Sequence, residues 1–451
     1  MMNMLEFKKI ELCDIEKIKA FTQNNEILAC EKNLANLIIW QKAYNNMYAI
    51  KDGMLFLKSG KEKSQSFSIP IGGDIKKGLD MIFEYAAPEK PRFWVQNDGK
   101  IADFKELLGE SYDISPVRDA FDYIYKREDL ANLSGKKYHS KRNHIAAFSK
   151  QHSWYFEPIT DSNKAEVLEC AEKWYSENFN RMDEYMAIEK EGITTLLENM
   201  ELLNVRGGAI FVDGMVVAFT LGSPINENVF DIHIEKALKD YATAYTVINN
   251  EFAKTLRDYE FINREDDMGL EGLRKAKLSY KPEMMLKKYR CRPLVLSCMR
   301  LYDNAFHDGP FTTKLFDLCF DNIKTLRVGG ETVALCFLLP CEIGGKTAKY
   351  IYGFTVKEKY RGQGYGKALM EEIKNETDEI LILRPANDGL IDYYKQFDFC
   401  EVSASNEKGE ISVVPTDSFK KLCEKDKKGQ YTAMVYNFNT DKTLYFPYSL
   451  A

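Results

Sequence analysis

Phe354-Thr355-Val356-Lys357-Glu358-Lys359-Tyr360-Arg361-Gly362-Gln363-Gly364-Tyr365-Gly366 passes from a strand-like run into a glycine-rich loop, and Lys367-Ala368-Leu369-Met370-Glu371-Glu372-Ile373-Lys374 continues it as a helix. Glycines at 362, 364 and 366 let the main chain approach a ligand closely, and the N–H groups opening the helix point outward. A diphosphate placed there accepts several charge-assisted hydrogen bonds worth about 1.5–3 kcal/mol each, whereas the helix dipole adds about 0.3–1 kcal/mol. Bonds to N–H groups therefore dominate the expected affinity. A dinucleotide fold spaces its glycines GxGxxG, with an acidic residue about twenty further on. This loop reads RGxGxG instead, and a structural turn without a ligand is the remaining reading of the same glycines.

The surroundings of the loop recur along the chain. Val328-Gly329-Gly330-Glu331-Thr332-Val333-Ala334-Leu335 reads as a β-hairpin, followed by the strand-like Tyr350–Val356, the helix through Lys374 and the strand-like Glu379–Leu383. Val212-Asp213-Gly214-Met215-Val216-Val217-Ala218-Phe219 opens the same series, continued by Val229–Ile234, a helix ending near Leu256, and Phe261-Ile262-Asn263. Ile50-Lys51-Asp52-Gly53-Met54-Leu55-Phe56-Leu57 opens it again, continued by Phe67–Ile71, a helix from Ile75 to Tyr85, and Arg92–Val95. Asp-Gly and Gly-Gly suit two-residue hairpin turns because both positions need positive φ. Three α/β repeats spaced by about 150 residues are expected, covering 1–135, 136–292 and 293–451. This order is common among α/β folds, so it speaks for architecture more than for chemistry.

Composition agrees. The 451 residues are 45% hydrophobic and 29% charged, which suits a folded protein with ample core. Lys plus Arg total 62 against 68 Asp plus Glu, a formal charge of −6, so no general field favours DNA or anionic membrane. The ten cysteines and five histidines form no CxxC pair or zinc cassette, so no metal is expected and the thiols read as free and buried. No apolar run approaches the ~18 residues of a membrane span, and the N-terminal Met1-Met2-Asn3-Met4-Leu5-Glu6-Phe7-Lys8-Lys9 lacks the apolar core of a signal peptide. A cytoplasmic protein is expected.

Residues 295–451 resemble a GNAT-family N-acetyltransferase, on the run Phe354–Gly366 together with Asn387 and Tyr393-Tyr394-Lys395-Gln396-Phe397-Asp398-Phe399. The family usually has glycine where this chain has Asp398. The resemblance implies that acetyl-CoA lies between two central strands that splay apart near Thr355. Phe354 and Val356 would hold the pantetheine arm through their backbone. Arg361, Gly362, Gln363, Gly364, Tyr365 and Gly366 would hold the diphosphate, Asn387 would touch the cofactor, and Tyr394 would face the thioester sulfur. An alkylamine of pKa near 10.4 is neutral about once in 2,500 molecules at pH 7, a deficit of about 4.6 kcal/mol that the site must meet. Tyr394 is the expected proton donor to the departing thiolate. The base is not legible: many relatives carry glutamate where this chain has Tyr352, and Glu331 and Glu342 read as solvated hairpin residues.

Two charged segments stand apart. Ser134-Gly135-Lys136-Lys137-Tyr138-His139-Ser140-Lys141-Arg142-Asn143 carries four cations and no acid, and Asn263–Lys277 is dense in both signs. Each reads either as a solvated face or as a site, the first suiting a phosphate or an RNA end. With Phe121-Asp122-Tyr123-Ile124-Tyr125, these segments resemble the bacterial family of phosphatidylglycerol lysyltransferase C-terminal domains over roughly residues 1–290. That resemblance implies a tandem pair of GNAT-like units and, in the named enzyme, aminoacyl-tRNA as donor. Lys136, Lys137, Lys141, Arg142 and Arg264 form the expected second site. The region after Ile234 lacks a glycine-rich loop, so CoA is not expected there. The fold expected is α/β (α+β): three GNAT-like units with mixed, mostly antiparallel sheets flanked by helices. The activity expected is acetyl-CoA-dependent N-acetylation of a small-molecule or peptide amine. Aminoacyl-tRNA-dependent transfer in the first 290 residues and non-catalytic CoA binding are the alternatives.

Overall fold

A computed structural model describes residues 5–23, 28–60, 65–96, 101–178, 184–405, 407–422, 430–438 and 440–446, so Met1–Met4 of the N-terminal stretch and Cys423 lie outside the described residues. The chain forms two compact units, one of residues 1–109 with 116–291 and the other of 110–115 with 292–451. Three mixed sheets flanked by helices make up the fold, as expected for GNAT-like architecture.

All three expected hairpins form. Asp52 and Gly53, Asp213 and Gly214, and Gly329 and Gly330 have positive φ at both turn positions, the backbone that lets two twisted strands join through two residues. Within the first unit the two sheets exchange strands across the division expected at 135–136. Asp122–Lys126 pairs with Phe261–Asn263 and Met284–Leu286 of the second sheet, while Lys288–Pro293 pairs with Phe93–Gln96 of the first. Hairpin order alone does not show this, because strands far apart in the chain close each sheet.

The second sheet is built on β1 (Met215–Pro224), β2 (Val229–Ala237) and β3 (Phe261–Asn263). Helix α1 (Ala244–Thr255) sets Ala244, Val247 and Ile248 on one face against Ile210, Val212 and Val217. These positions follow the i, i+3, i+4 spacing of a helix stripe. β2 and β3 pair in parallel from Val229/Phe261 to Asp231/Asn263, after which residues 232–237 of β2 leave β3 behind.

The sheet of the second unit repeats the plan with β4 (Glu331–Ile343), β5 (Lys346–Val356) and β6 (Ile380–Leu383). β6 is buried at every position, which fits a central strand covered on both faces. Its parallel pairing with β5 runs from Ala348/Ile380 to Tyr350/Ile382 and stops, leaving residues 351–356 splayed away. Helix α2 (Tyr365–Glu376) packs Leu369, Met370 and Ile373 against Leu381 and Leu383, and α3 (Ile391–Lys395) follows β6.

Among the described residues no helix is long and apolar enough to cross a membrane. The nine described cysteines are unbridged, and all but Cys13 and Cys400 are buried.

Candidate functional site

The β5/β6 split begins with a bulge. The register with β4 jumps from Leu335/Thr355 to Phe337/Tyr352, so Gly353 and Phe354 crowd opposite a single β4 residue. Gly353 has φ +62°, and a Cβ there would lie 2.4 Å from the Tyr302 ring, so only glycine fits. Thr355 is buried, with Phe354 and Val356 half-buried beside it.

The glycine loop follows at once. Arg361 Nε donates to Val356 O at 3.1 Å and Gln363 Nε2 to Lys359 O at 2.8 Å, so both side chains brace the loop's backbone. Gly362 and Gly364 have φ of +72° and +86°, and a Cβ at either meets no protein atom within 4 Å. At Gly366 a Cβ would come 2.9 Å from Tyr393 Oη. Gly364 caps α2 without a side-chain bond, so the first-turn N–H groups of the helix face outward with no partner inside it. Asn387 is exposed beyond β6, ahead of α3.

Glu331 is not the solvated hairpin residue expected. It is buried, bonded to Lys357, to Lys359 Nζ at 3.0 Å and to Tyr360 Oη at 2.7 Å, and so ties the start of the loop to β4. Burial alone would raise its pKa; the bonds from Lys357, Tyr360 and Lys359 outweigh burial and hold the carboxyl below its ordinary value. Its place after a Gly-Gly turn suggested solvent, but the 357–360 segment folds back over it. Glu342 is exposed.

Tyr394 is buried on α3, with its ring 5.2 Å from Tyr393 and 6.2 Å from Phe399. Burial, then the neighbouring Tyr393 and Cys336, push its phenol above the ordinary value, so it keeps its proton at neutral pH. Asp398 adopts φ +62°, the backbone a glycine would supply, and holds Lys374 at 2.9 Å while Phe399 stays buried. Tyr352 is half-buried among Tyr302, Phe311 and Tyr350.

The five cations of the expected second site separate. Lys136 is exposed, Lys137 pairs with Asp129 at 2.8 Å, and Arg142 caps Leu133 O and Gly135 O. Lys141 and Arg264 meet at the Tyr280 ring, 3.7 Å and 4.9 Å from its centre. Arg264 also pairs with Glu235 at 2.7 Å, and Lys141 is pulled down to about 8 by burial and then by Arg264. The aromatic partner at 280 lies outside both charged runs, which is why the sequence alone did not sort the cations.

Sequence reasoning missed a dense polar cluster at the β2/β3 split. Lys288 is fully buried and reaches Asp122 at 2.6 Å and Glu31 at 2.7 Å, and these carboxylates keep it charged against the cost of burial. Asn263 donates to Asp122 at 3.0 Å. Beside them lie Asp231, His233 and Glu265. Asp122, Asn263 and Glu265 fall within the runs quoted above, but the residues they meet include Cys30, Asn36 and Lys288, and no spacing connects them.

Split sheets of this form, one with an open glycine loop, are GNAT-like architecture, and the family matches make the chain an acyltransferase. Residues 25–292 match the family described as phosphatidylglycerol lysyltransferase, C-terminal, and residues 298–399 match the acetyltransferase (GNAT) family. The first match spans more than half of the chain, which belongs to that family and carries a GNAT domain after it. A conserved protein of unknown function from Bacteroides thetaiotaomicron, solved by crystallography, is 38% identical, with 64% of this chain and 99% of that one covered at a TM-score of 0.60. L-PGS from Bacillus licheniformis is 15% identical over 62% of this chain and 94% of that one, at a TM-score of 0.44. The uncharacterized protein MYCGA3080 of Mycoplasmoides gallisepticum is 26% identical over 191 residues, 41% of this chain and 60% of that one, so the chain spans less than two thirds of that relative's length.

Proposed function

We propose that the unit containing residues 292–451 is an acetyl-CoA-dependent N-acetyltransferase acting on a primary amine. The observation that carries this reading is the β5/β6 split opening onto a loop whose two left-handed glycines, 362 and 364, face free space. Backbone groups of Phe354, Thr355 and Val356 line the splayed edge for the pantetheine amides, and the amides of 361–366 take the diphosphate. The amine nitrogen attacks the thioester carbon, the C–N bond forms and the C–S bond breaks. The oxyanion meets strand N–H groups near Thr355. Tyr394, buried and protonated, gives its proton to the leaving sulfur and recovers one from the ammonium through solvent. Protonating a thiolate of pKa near 8.5 gains about 2 kcal/mol at pH 7, so the contribution of Tyr394 is moderate. Tyr352 supplies no carboxylate base, so the amine is deprotonated by water or arrives neutral.

A thiol-release screen of the full chain with acetyl-CoA against diverse amines tests this. Release that depends on one amine class, and is lost in Gly364→Ala, supports it; CoA binding without release across the panel favours a binding protein instead. One observation favours a second activity: the β2/β3 split repeats the geometry without the glycines, with Lys141 and Arg264 elsewhere in the same unit. Aminoacyl transfer from charged tRNA fits that site, and it would survive Gly364→Ala.

A further inference from the structure

The β2/β3 split contains a charge imbalance that the acyl-transfer reading leaves unused. Asp231 closes the parallel ladder opposite Asn263, is fully buried, and has no hydrogen-bond partner at either carboxylate oxygen. Its neighbours add to the deficit. Glu31, Asp122, Asp231 and Glu265 bring four carboxylates together; the ammonium of Lys288 is committed to Asp122 and Glu31, and that of Lys277 to the carbonyls of Arg264 and Asp266.

His233 faces this gap. The β1/β2 register passes from Leu221/Ile234 to Gly222/Ile232, so His233 is the bulged residue, released from the ladder. A hydrogen-bond chain settles which ring nitrogen carries hydrogen. Asn33 Oδ1 accepts from Ala35 N, and its amide nitrogen donates to Ser223 O, which fixes the orientation of Asn33. Ser223 Oγ must then donate to Asn33 Oδ1 at 2.9 Å, leaving it an acceptor toward His233 Nε2 at 2.9 Å. The hydrogen sits on Nε2, and in the neutral ring Nδ1 presents a lone pair to Glu265 Oε1 at 3.1 Å and Asp231 Oδ2 at 3.6 Å. Three electron-rich atoms facing one another call for a shared proton or a cation between them.

The spacing says which kind. An ion at about 2.1 Å from each ligand sets neighbouring donors about 3.0 Å apart in octahedral and about 3.4 Å apart in tetrahedral geometry, whereas an ammonium at about 2.8 Å holds its acceptors about 4.6 Å apart. Both measured separations, 3.1 Å and 3.6 Å, fall nearer the metal edges than the ammonium spacing. Backbone and neighbours together hold Glu265 in place, since it sits at φ +53°, its N–H bonds Asn263 Oδ1 at 2.7 Å, and Asn36 holds Oε1 at 2.9 Å. Its side chain is one-fifth exposed, which provides a way in. We infer that Asp231, His233 and Glu265 form a binding site for a divalent first-row metal ion, with Nδ1 as the nitrogen ligand and Ser223 and Asn36 orienting the ligands from behind. No ligand spacing announces the site in the sequence, because the bulge in β2 and the turn after β3 bring the three residues together.

The test uses the full chain, stripped with a chelator and titrated calorimetrically with Zn2+ and, separately, Mn2+, with thermal melts alongside. Micromolar binding is expected, weakened roughly 100-fold in Asp231→Asn and His233→Gln and roughly 10-fold in Ser223→Ala. Mn2+ resonance in the wild type should show a coordinated nitrogen that His233→Gln removes. Absence of binding at 1 mM of either ion overturns the inference, and so does unchanged affinity in a folded Asp231→Asn. Should Asp231→Asn fail to fold, Glu265→Gln, at the rim, is read by the same criterion. The surface group Glu11, Cys13 and Asp14 is controlled by Glu11→Gln, and loss of binding there rather than at Asp231 also overturns it.

Discussion

Gly364→Ala separates a ligand-binding loop from an ordinary turn. The residue has φ +86°, so an alanine there carries left-handed strain of about 1–2 kcal/mol, enough to lower the melting midpoint by a few degrees. Its Cβ meets no protein atom within 4 Å, so folding should lose nothing more. A diphosphate approaching the 361–366 amides would meet that methyl group directly. Displacing one charge-assisted bond of about 1.5–3 kcal/mol should weaken CoA binding roughly 10- to 150-fold. Gly345 supplies the control: its φ is +77°, its Cβ also meets nothing, and it sits in the far turn between β4 and β5. Calorimetric titration with CoA beside thermal melts gives both numbers. The two variants should lose similar stability, while only Gly364→Ala loses affinity. Equal affinities in the two variants would refute the cradle.

Other substitutions probe other parts. Tyr394→Phe should lower kcat roughly 10- to 30-fold with little change in CoA affinity, and because the phenol is raised above 10, wild-type turnover should show no loss of this acid up to pH 10. Glu331→Gln should loosen the 357–360 segment and weaken CoA severalfold. Its depressed carboxyl stabilises the fold above about pH 4.5, a contribution lost as pH falls through the folded value, so melts of wild type and variant should converge in acid. Lys288→Met strands the buried Asp122 and the partly buried Glu31 and should cost about 3–5 kcal/mol in denaturant unfolding, partly restored by adding Asp122→Asn. Lys141 has a folded value of about 8 against 10.5, so its stability contribution rises with pH across that interval; Lys141→Met should gain most over wild type at pH 7 and least near pH 10.5.

What the sequence made legible follows local chemistry. The hairpins at 52–53, 213–214 and 329–330 announce themselves because positive φ demands particular residues. The loop at 361–366 does so because three glycines between strand and helix have few other uses. What stayed hidden depends on contacts between distant segments. Asp122 and Lys288 are 166 residues apart and meet only because the two sheets of the first unit exchange strands. Glu331 looks like a turn residue until the 357–360 segment covers it, and Lys141 looks like one more surface cation until Tyr280 arrives beneath it. His233 owes its position to a bulge that requires Gly222, where a Cβ would lie 2.2 Å from Asp231 O.

Amide hydrogen exchange of the full chain with and without CoA tests the location of the donor most directly. Binding in the β5/β6 split predicts slowed exchange confined to 353–356 and 361–368. Protection instead at 232–245 of the first unit, or none at saturating CoA, would contradict it.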